Sequence, residues 1–273
     1  MPTRRLLLGL TSLGVALLAG GAGAHATRVE SESLVDQLLD ASGITRQLEQ
    51  VEPGIRRELS QGAEPAEAER LLSALKRAYE PQTLRETVRE VLERELPEAD
   101  MKSALAFLRS DRGRRITRLE EAAGEEAETE KRERDAADLL AILPEARVEL
   151  YRRLGRAIDV GELNATLITQ MTLGMAQGMA ALPGVGGSMI EELRDQLRAD
   201  RPKMVAEGLE ESLRSMAHTY RALPDEDLVG YAEFAESALG RRYHRATSKA
   251  LERALEIAAG KFGLFLSGAE KTA

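Results

Sequence analysis

The sequence predicts an all-α fold, a helical bundle of about ten helices built from two related halves. Two observations carry this. Apolar residues recur at helical spacing nearly everywhere, as in Leu71, Leu72, Leu75 and Tyr79, or Leu84, Val88, Val91, Leu92 and Leu96, with no competing period-2 stretch. Aromatics make up only 3% of 273 residues, with no Trp, so the core must rest on Leu, Ala, Val, Ile and Met, which suits helix-on-helix layers. Gly43, Gly62, Pro81, Pro97, Pro144, Pro183-Gly184 and Pro224 fall between the periodic runs, where caps and turns belong.

The N-terminus reads as an export signal, residues 1–26. Arg4 and Arg5 precede an apolar run from Leu6 to Leu18, and Ala24-His25-Ala26 offers a small-x-small cleavage pattern. That run is shorter than the roughly 20 apolar residues a membrane-spanning helix needs. An exported protein is expected, periplasmic or extracellular after cleavage near Ala26, with no transmembrane helix in the mature chain. Thr3-Arg4-Arg5-Leu6-Leu7-Leu8 also resembles a twin-arginine signal, although Gly9 stands at the usual lysine, so both routes stay open. The chain has no cysteine, hence no disulfide framework and no lipid-attachment thiol.

Loss of residues 1–26 removes two arginines and no acid, leaving 36 basic against 46 acidic side chains and a net charge of −10. This sign argues against nucleic acid and against attraction to anionic lipid. The densely charged stretch from Glu120 to Asp135 alternates in sign and reads as a long exposed connecting helix.

Residues 96–118 and 223–245 align without a gap at an offset of 127, with nine of 23 positions identical, which points to an internal repeat. Phe107 meets Phe234, Ser110 meets Ser237, Gly113 meets Gly240, and Arg114-Arg115 meets Arg241-Arg242. A weaker echo upstream sets Leu38–Gly43 against Leu150–Gly155, at an offset of 112. The expected division is residues 27–142 and 143–273, one copy each.

Each copy runs Leu-Pro, acids, an apolar helix ending at Phe-x-x-Ser, then x-x-Gly-Arg-Arg opening the next helix. The acids complement a helix start, Ser110 or Ser237 caps the following helix, and Gly113 or Gly240 allows close approach at the bend. A functional alternative makes the helix start and Arg114, Arg115, Arg241 and Arg242 an anion pocket.

On these residues the chain resembles a bacterial family of exported helical proteins catalogued as domain of unknown function 2059, present as two degenerate copies. Tyr220, Asp225-Glu226-Asp227, Phe234, Ser237 and Gly240 match its pattern in the second half, and Phe107, Ser110 and Gly113 in the first. Leu108 and Ala235 replace a second aromatic, and Glu93 stands where Tyr220 has its counterpart. The resemblance implies a helical fold and an envelope address, and it brings no activity.

From Leu163 to Ile190 no residue is charged. Met171, Met175 and Met179 recur every fourth position, and Gly174 and Gly178 form a Gly-x-x-x-Gly. The first reading is a buried central helix; the functional alternative is an adaptable groove for a lipid-like ligand or an unfolded peptide. Outside the signal the histidines are His218 and His244, both read as surface or cap residues, without zinc-ligand spacing; no metal and no cofactor is expected. Ser73-Ala-Leu-Lys76 matches a Ser-x-x-Lys nucleophile pattern but lacks its partner motifs.

The sequence therefore points to a non-enzymatic envelope protein that binds a protein partner or an apolar ligand. A self-associating scaffold is the alternative, and the rival of a different class is an envelope hydrolase using carboxylates, Ser73 with Lys76, or His218 and His244.

Overall fold

A computed structural model describes residues 33–59, 65–125, 130–179 and 187–267. The export signal and its cleavage site lie outside them.

Among the described residues there are twelve helices and no strand, so the predicted all-α class holds. They are α1 Leu34–Ala41, α2 Ile44–Leu59, α3 Pro65–Ala78, α4 Pro81–Glu95, α5 Glu98–Leu108, α6 Asp111–Glu125, α7 Glu130–Ile142, α8 Glu145–Ala157, α9 Val160–Met179, α10 Gly187–Thr219, α11 Asp225–Glu236 and α12 Ala238–Ser267.

Their starts follow from local chemistry. Three helices open after Leu-Pro, at Pro97, Pro144 and Pro224. A fixed proline φ suits a helix start. Leu96 with Met101 and Leu223 with Leu228, all buried, occupy the N′ and N4 positions of a hydrophobic staple. Ser33 opens α1 by accepting the Asp36 amide at 3.2 Å while donating to the Asp36 carboxylate.

The first six helices and α8 to α12 trace the same succession. A short helix, a left-handed residue and a second helix begin each: α1, Gly43 at φ 61° and α2, then α8, Asp159 at φ 58° and α9. The pair α3–α4 occupies the place of the single long α10, and α5–α6 that of α11–α12.

The left-handed residue between α8 and α9 is Asp159, four positions beyond Gly155 and 116 beyond Gly43. Val35, Leu38 and Leu39 of α1 and Tyr151, Leu154 and Gly155 of α8 face the core. Arg109 donates to Gln37 at 3.0 Å, and Arg153 donates to Glu236 at 3.0 and 2.7 Å. The echo's offset of 112 differs from 116 by about one helical turn and keeps the same apolar face.

One continuous core joins residues from Val35 to Phe262. Helix α12 lies along α9 and crosses α3 and α4 of the first half, while α6 touches α10. Helix α9, uncharged from Leu163 onward, is the central helix predicted. Gly161 and Gly208 bring α9 and α10 together, and the Asn164 amide donates to Gly208 O at 3.3 Å and Ser212 Oγ at 3.2 Å. The charged stretch departs from expectation at Glu120, which is buried; α6 is described to Glu125 and α7 from Glu130, and residues 126–129 lie outside the described part.

Candidate functional site at the junction of the halves

The repeated motif folds twice into the same corner. Ser110 donates to Phe107 O at 2.6 Å and accepts the Gly113 amide at 3.0 Å; Ser237 donates to Phe234 O at 2.6 Å and accepts the Gly240 amide at 2.9 Å. Each serine thus closes one helix and caps the N3 amide of the next. Ser237→Ala is expected to cost about 1 kcal/mol, seen as a lower denaturation midpoint; an unchanged midpoint rejects the cap. Both glycines are required by backbone proximity. A Cβ on Gly240 would sit 2.7 Å from the Phe234 carbonyl carbon, and one on Gly113 would sit 2.8 Å from that of Leu108.

The two corners face each other and pair reciprocally. Phe107 and Phe234 stack at 3.8 Å with planes 2° apart. Arg115 donates from Nε and Nη2 to Asp227 at 2.7 and 3.0 Å, and Arg242 does the same to Asp100 at 2.6 and 2.8 Å. Asp100 and Asp227, like Arg115 and Arg242, correspond at the offset of 127. Each arginine therefore holds the other half's aspartate, the self-complementary arrangement of a two-fold interface within one chain. Arg112 adds a third contact to Asp227 at 3.2 Å, and its guanidinium lies on Gly230. These partners hold the Asp227 and Asp100 carboxyls below the usual carboxylate range, by the Arg115 and Arg242 hydrogen bonds first.

Behind the stacked rings lies a buried polar cluster. Tyr220 donates to Glu120, and Tyr231 packs edge-on to Tyr220 with centroids 6.3 Å apart. Burial pushes the Glu120 carboxyl well above its ordinary range, against the Tyr220 hydrogen bond. A carboxyl raised on folding contributes stability below its unfolded value, about 4.3, and loses it as pH rises through the folded value. Glu120→Gln keeps an acceptor for Tyr220, so its stability relative to the native chain is expected to grow between pH 5 and pH 8, measured by urea denaturation. A constant difference rejects a buried neutral Glu120.

His244 corrects its sequence reading. It is 2% exposed, not a surface or cap residue, because it follows Tyr243 on the apolar face of α12 that continues through Thr247 and Ala250. His218 sits in the last turn of α10, where its carbonyl accepts from Arg221 at 2.7 Å.

Of the arginines considered for an anion pocket, Arg115 and Arg242 are spent on the aspartates, Arg114 on Asp111 and the Arg109 carbonyl, and Arg241 on the Glu236 carbonyl. In the methionine stripe, Met171 is 4% exposed and Met175 packs partly against the core. A Cβ on Gly174 would meet Ala259 Cβ at 2.7 Å, so this face is closed by α12. Gly178 and Met179 end α9, and their side chains lie outside the described residues. Ser73 lines an open surface groove with Glu69, Arg70, Arg77 and Phe265. No group of His, Cys, Asp and Glu suited to a metal occurs among the described residues.

Sequence reasoning missed the Asp100–Arg242 and Asp227–Arg115 pairs. Their signal was present: two opposite charges repeated identically in both copies. Arg147 was also missed; it donates to the Tyr220 and Leu223 carbonyls at 2.7 and 2.8 Å, closing the C-terminal end of α10.

A family of bacterial proteins, described as an uncharacterized protein conserved in bacteria (DUF2059), matches residues 82–137. The likeness covers that stretch. It takes in most of α4, all of α5 and α6 and the larger part of α7, hence the first Phe-x-x-Ser-x-x-Gly corner. No curated protein and no solved structure matches the chain. No described helix is long and apolar enough to cross a membrane.

Proposed function

We propose that the protein is exported and acts by binding a protein partner, not by catalysis, as two copies of one helical unit, residues 27–142 and 143–273, clasped face to face. The reciprocal Asp100–Arg242 and Asp227–Arg115 pairs around the Phe107–Phe234 stack support this reading most. They use the polar groups of both motifs to hold the halves together, which leaves the motif a structural clasp. The burial of Met171 and Gly174 favours a protein partner over a lipid-like ligand at that stripe. Large apolar side chains remain open instead at Ile142, 79% exposed at the end of α7, and Met189, 52% exposed in the first turn of α10. Helices α7 and α10 pack on each other, so this limb is the surface offered.

The mature protein recovered from its own envelope and weighed under non-denaturing conditions tests the reading. A retained polypeptide, lost on Ile142→Glu or Met189→Glu, supports it. Retained lipid-sized mass moves the function to an apolar groove, and a bare monomer rejects binding as the resting state. The N-terminus of the same sample, expected near Ala26, tests export.

A further inference from the structure

The clasp has an imidazole sealed at its centre. His244 lies among Phe107 and Leu108 of α5, Gly113 and Thr117 of α6, and Tyr231 and Phe234 of α11, with Tyr243 beside it on α12. Its ring centroid is 6.5 Å from that of Tyr231, 6.0 Å from Phe234 and 5.1 Å from Tyr243. The space between these groups admits no water molecule. Neither ring nitrogen has a hydrogen-bond partner among the described residues. An unpaired buried polar group weakens the packing it sits in, and a charged one cannot stay there.

We propose that His244 makes the clasp acid-labile: protonation of its imidazole parts α5 and α6 from α11 and α12, so the halves separate locally while the outer helices stay folded. This goes beyond the binding role but rests on the reading that the two halves meet at this clasp.

The groups that face His244 supply nothing to hold its charge. From α5 and α6 come Phe107, Leu108, Gly113 and Thr117, none of them ionisable. From α11 comes the Tyr231 phenol and from α12 the Tyr243 phenol, both kept neutral by burial. Burial pushes the carboxyl of Glu120, which acts on both tyrosines, well above its ordinary range, and Arg115 is spent on Asp227. Burial lowers the His244 pKa to about 3. A histidine lowered on folding contributes stability above its unfolded value, about 6.5, and loses it as pH falls toward the folded value. His244 alone should therefore raise the opening constant nearly tenfold per pH unit below about 6.5, or roughly 25-fold from pH 7 to pH 5, against the opposite pull of the Glu120 carboxyl that the same opening exposes.

Native hydrogen exchange of the full chain, corrected for intrinsic rates at the two pH values, reads this locally. Relative to a folded His244→Phe, which fills the site, peptides from 98–117 and 225–247 of the native protein should lose protection roughly 25-fold between pH 7 and pH 5, a ratio from which the Glu120 contribution cancels, while α9 and the first half of α10 change little. His244→Gln is the reference in the case that Phe does not fold. A ratio that stays constant between the two pH values overturns the proposal. Partner binding plays no part in this readout, so its outcome is independent of the native-mass test.

Discussion

Gly240→Ala is expected to destabilise the protein by about 3 kcal/mol or more. Helix propensity alone predicts the reverse sign, since alanine is better than glycine in a helix by about 1 kcal/mol. The clash decides, because the new Cβ would strike the Phe234 carbonyl, a backbone group that cannot swing aside. Relief would require lifting α12 from α11 and unseating the Ser237 cap and the Phe107–Phe234 stack together. Gly124→Ala in α6 is the control. Nothing lies within 4 Å of a Cβ there, so the same substitution should stabilise by about 0.5–1 kcal/mol. Urea denaturation of both variants settles the pair. Equal and small effects would mean the corner at Gly240 is not closed as described.

The second large effect is Asp227→Ala, expected to cost about 2 kcal/mol at neutral pH. Its carboxylate is only 7% exposed and holds Arg112 and Arg115 at once, while both arginines remain partly solvated and can reorient into water. That solvation keeps the loss below the 3–5 kcal/mol typical of stranding one member of a fully buried pair. Asp100→Ala, which frees one half-exposed arginine, should cost about half as much. A double-mutant cycle of Asp227→Ala with Arg115→Ala isolates the coupling, and a value near zero would remove the pair from the clasp. The pH sign is set by a carboxyl lowered on folding. The Asp227 contribution is present above its ordinary value, about 3.9, and is lost as pH falls through the lower folded one. The gap between native and Asp227→Ala proteins should accordingly be flat from pH 5 to 8 and close in stronger acid.

The two aspartates show where sequence reading stopped. Asp100 and Asp227 were legible as helix-start acids and Arg115 and Arg242 as a repeated pair. Nothing along the chain said that each acid meets the arginine of the other copy. Periodicity reports which side of a helix is buried but not against what, so the partners were visible and the partnership was not. His244 failed for a related reason. Arg241, Arg242 and Arg245 surround it in sequence and suggest surface, yet on a helix its face is shared with Tyr231 and Phe234, which arrive from another element.

By itself the sequence determined the all-helical class, the breaks at Pro81, Pro97, Pro144 and Pro224, the burial of α9 along its uncharged run from Leu163, and the paired Ser-capped corners. Each depends on spacing or on a cap within a few residues, interactions that are local in the chain. The tertiary structure alone decided that the corners clasp each other through exchanged ion pairs, that Glu120 and His244 lie sealed behind them, and that α12 crosses into the first half. Most of those contacts join residues a hundred or more positions apart, where separation along the chain carries no geometric information and close packing in three dimensions does.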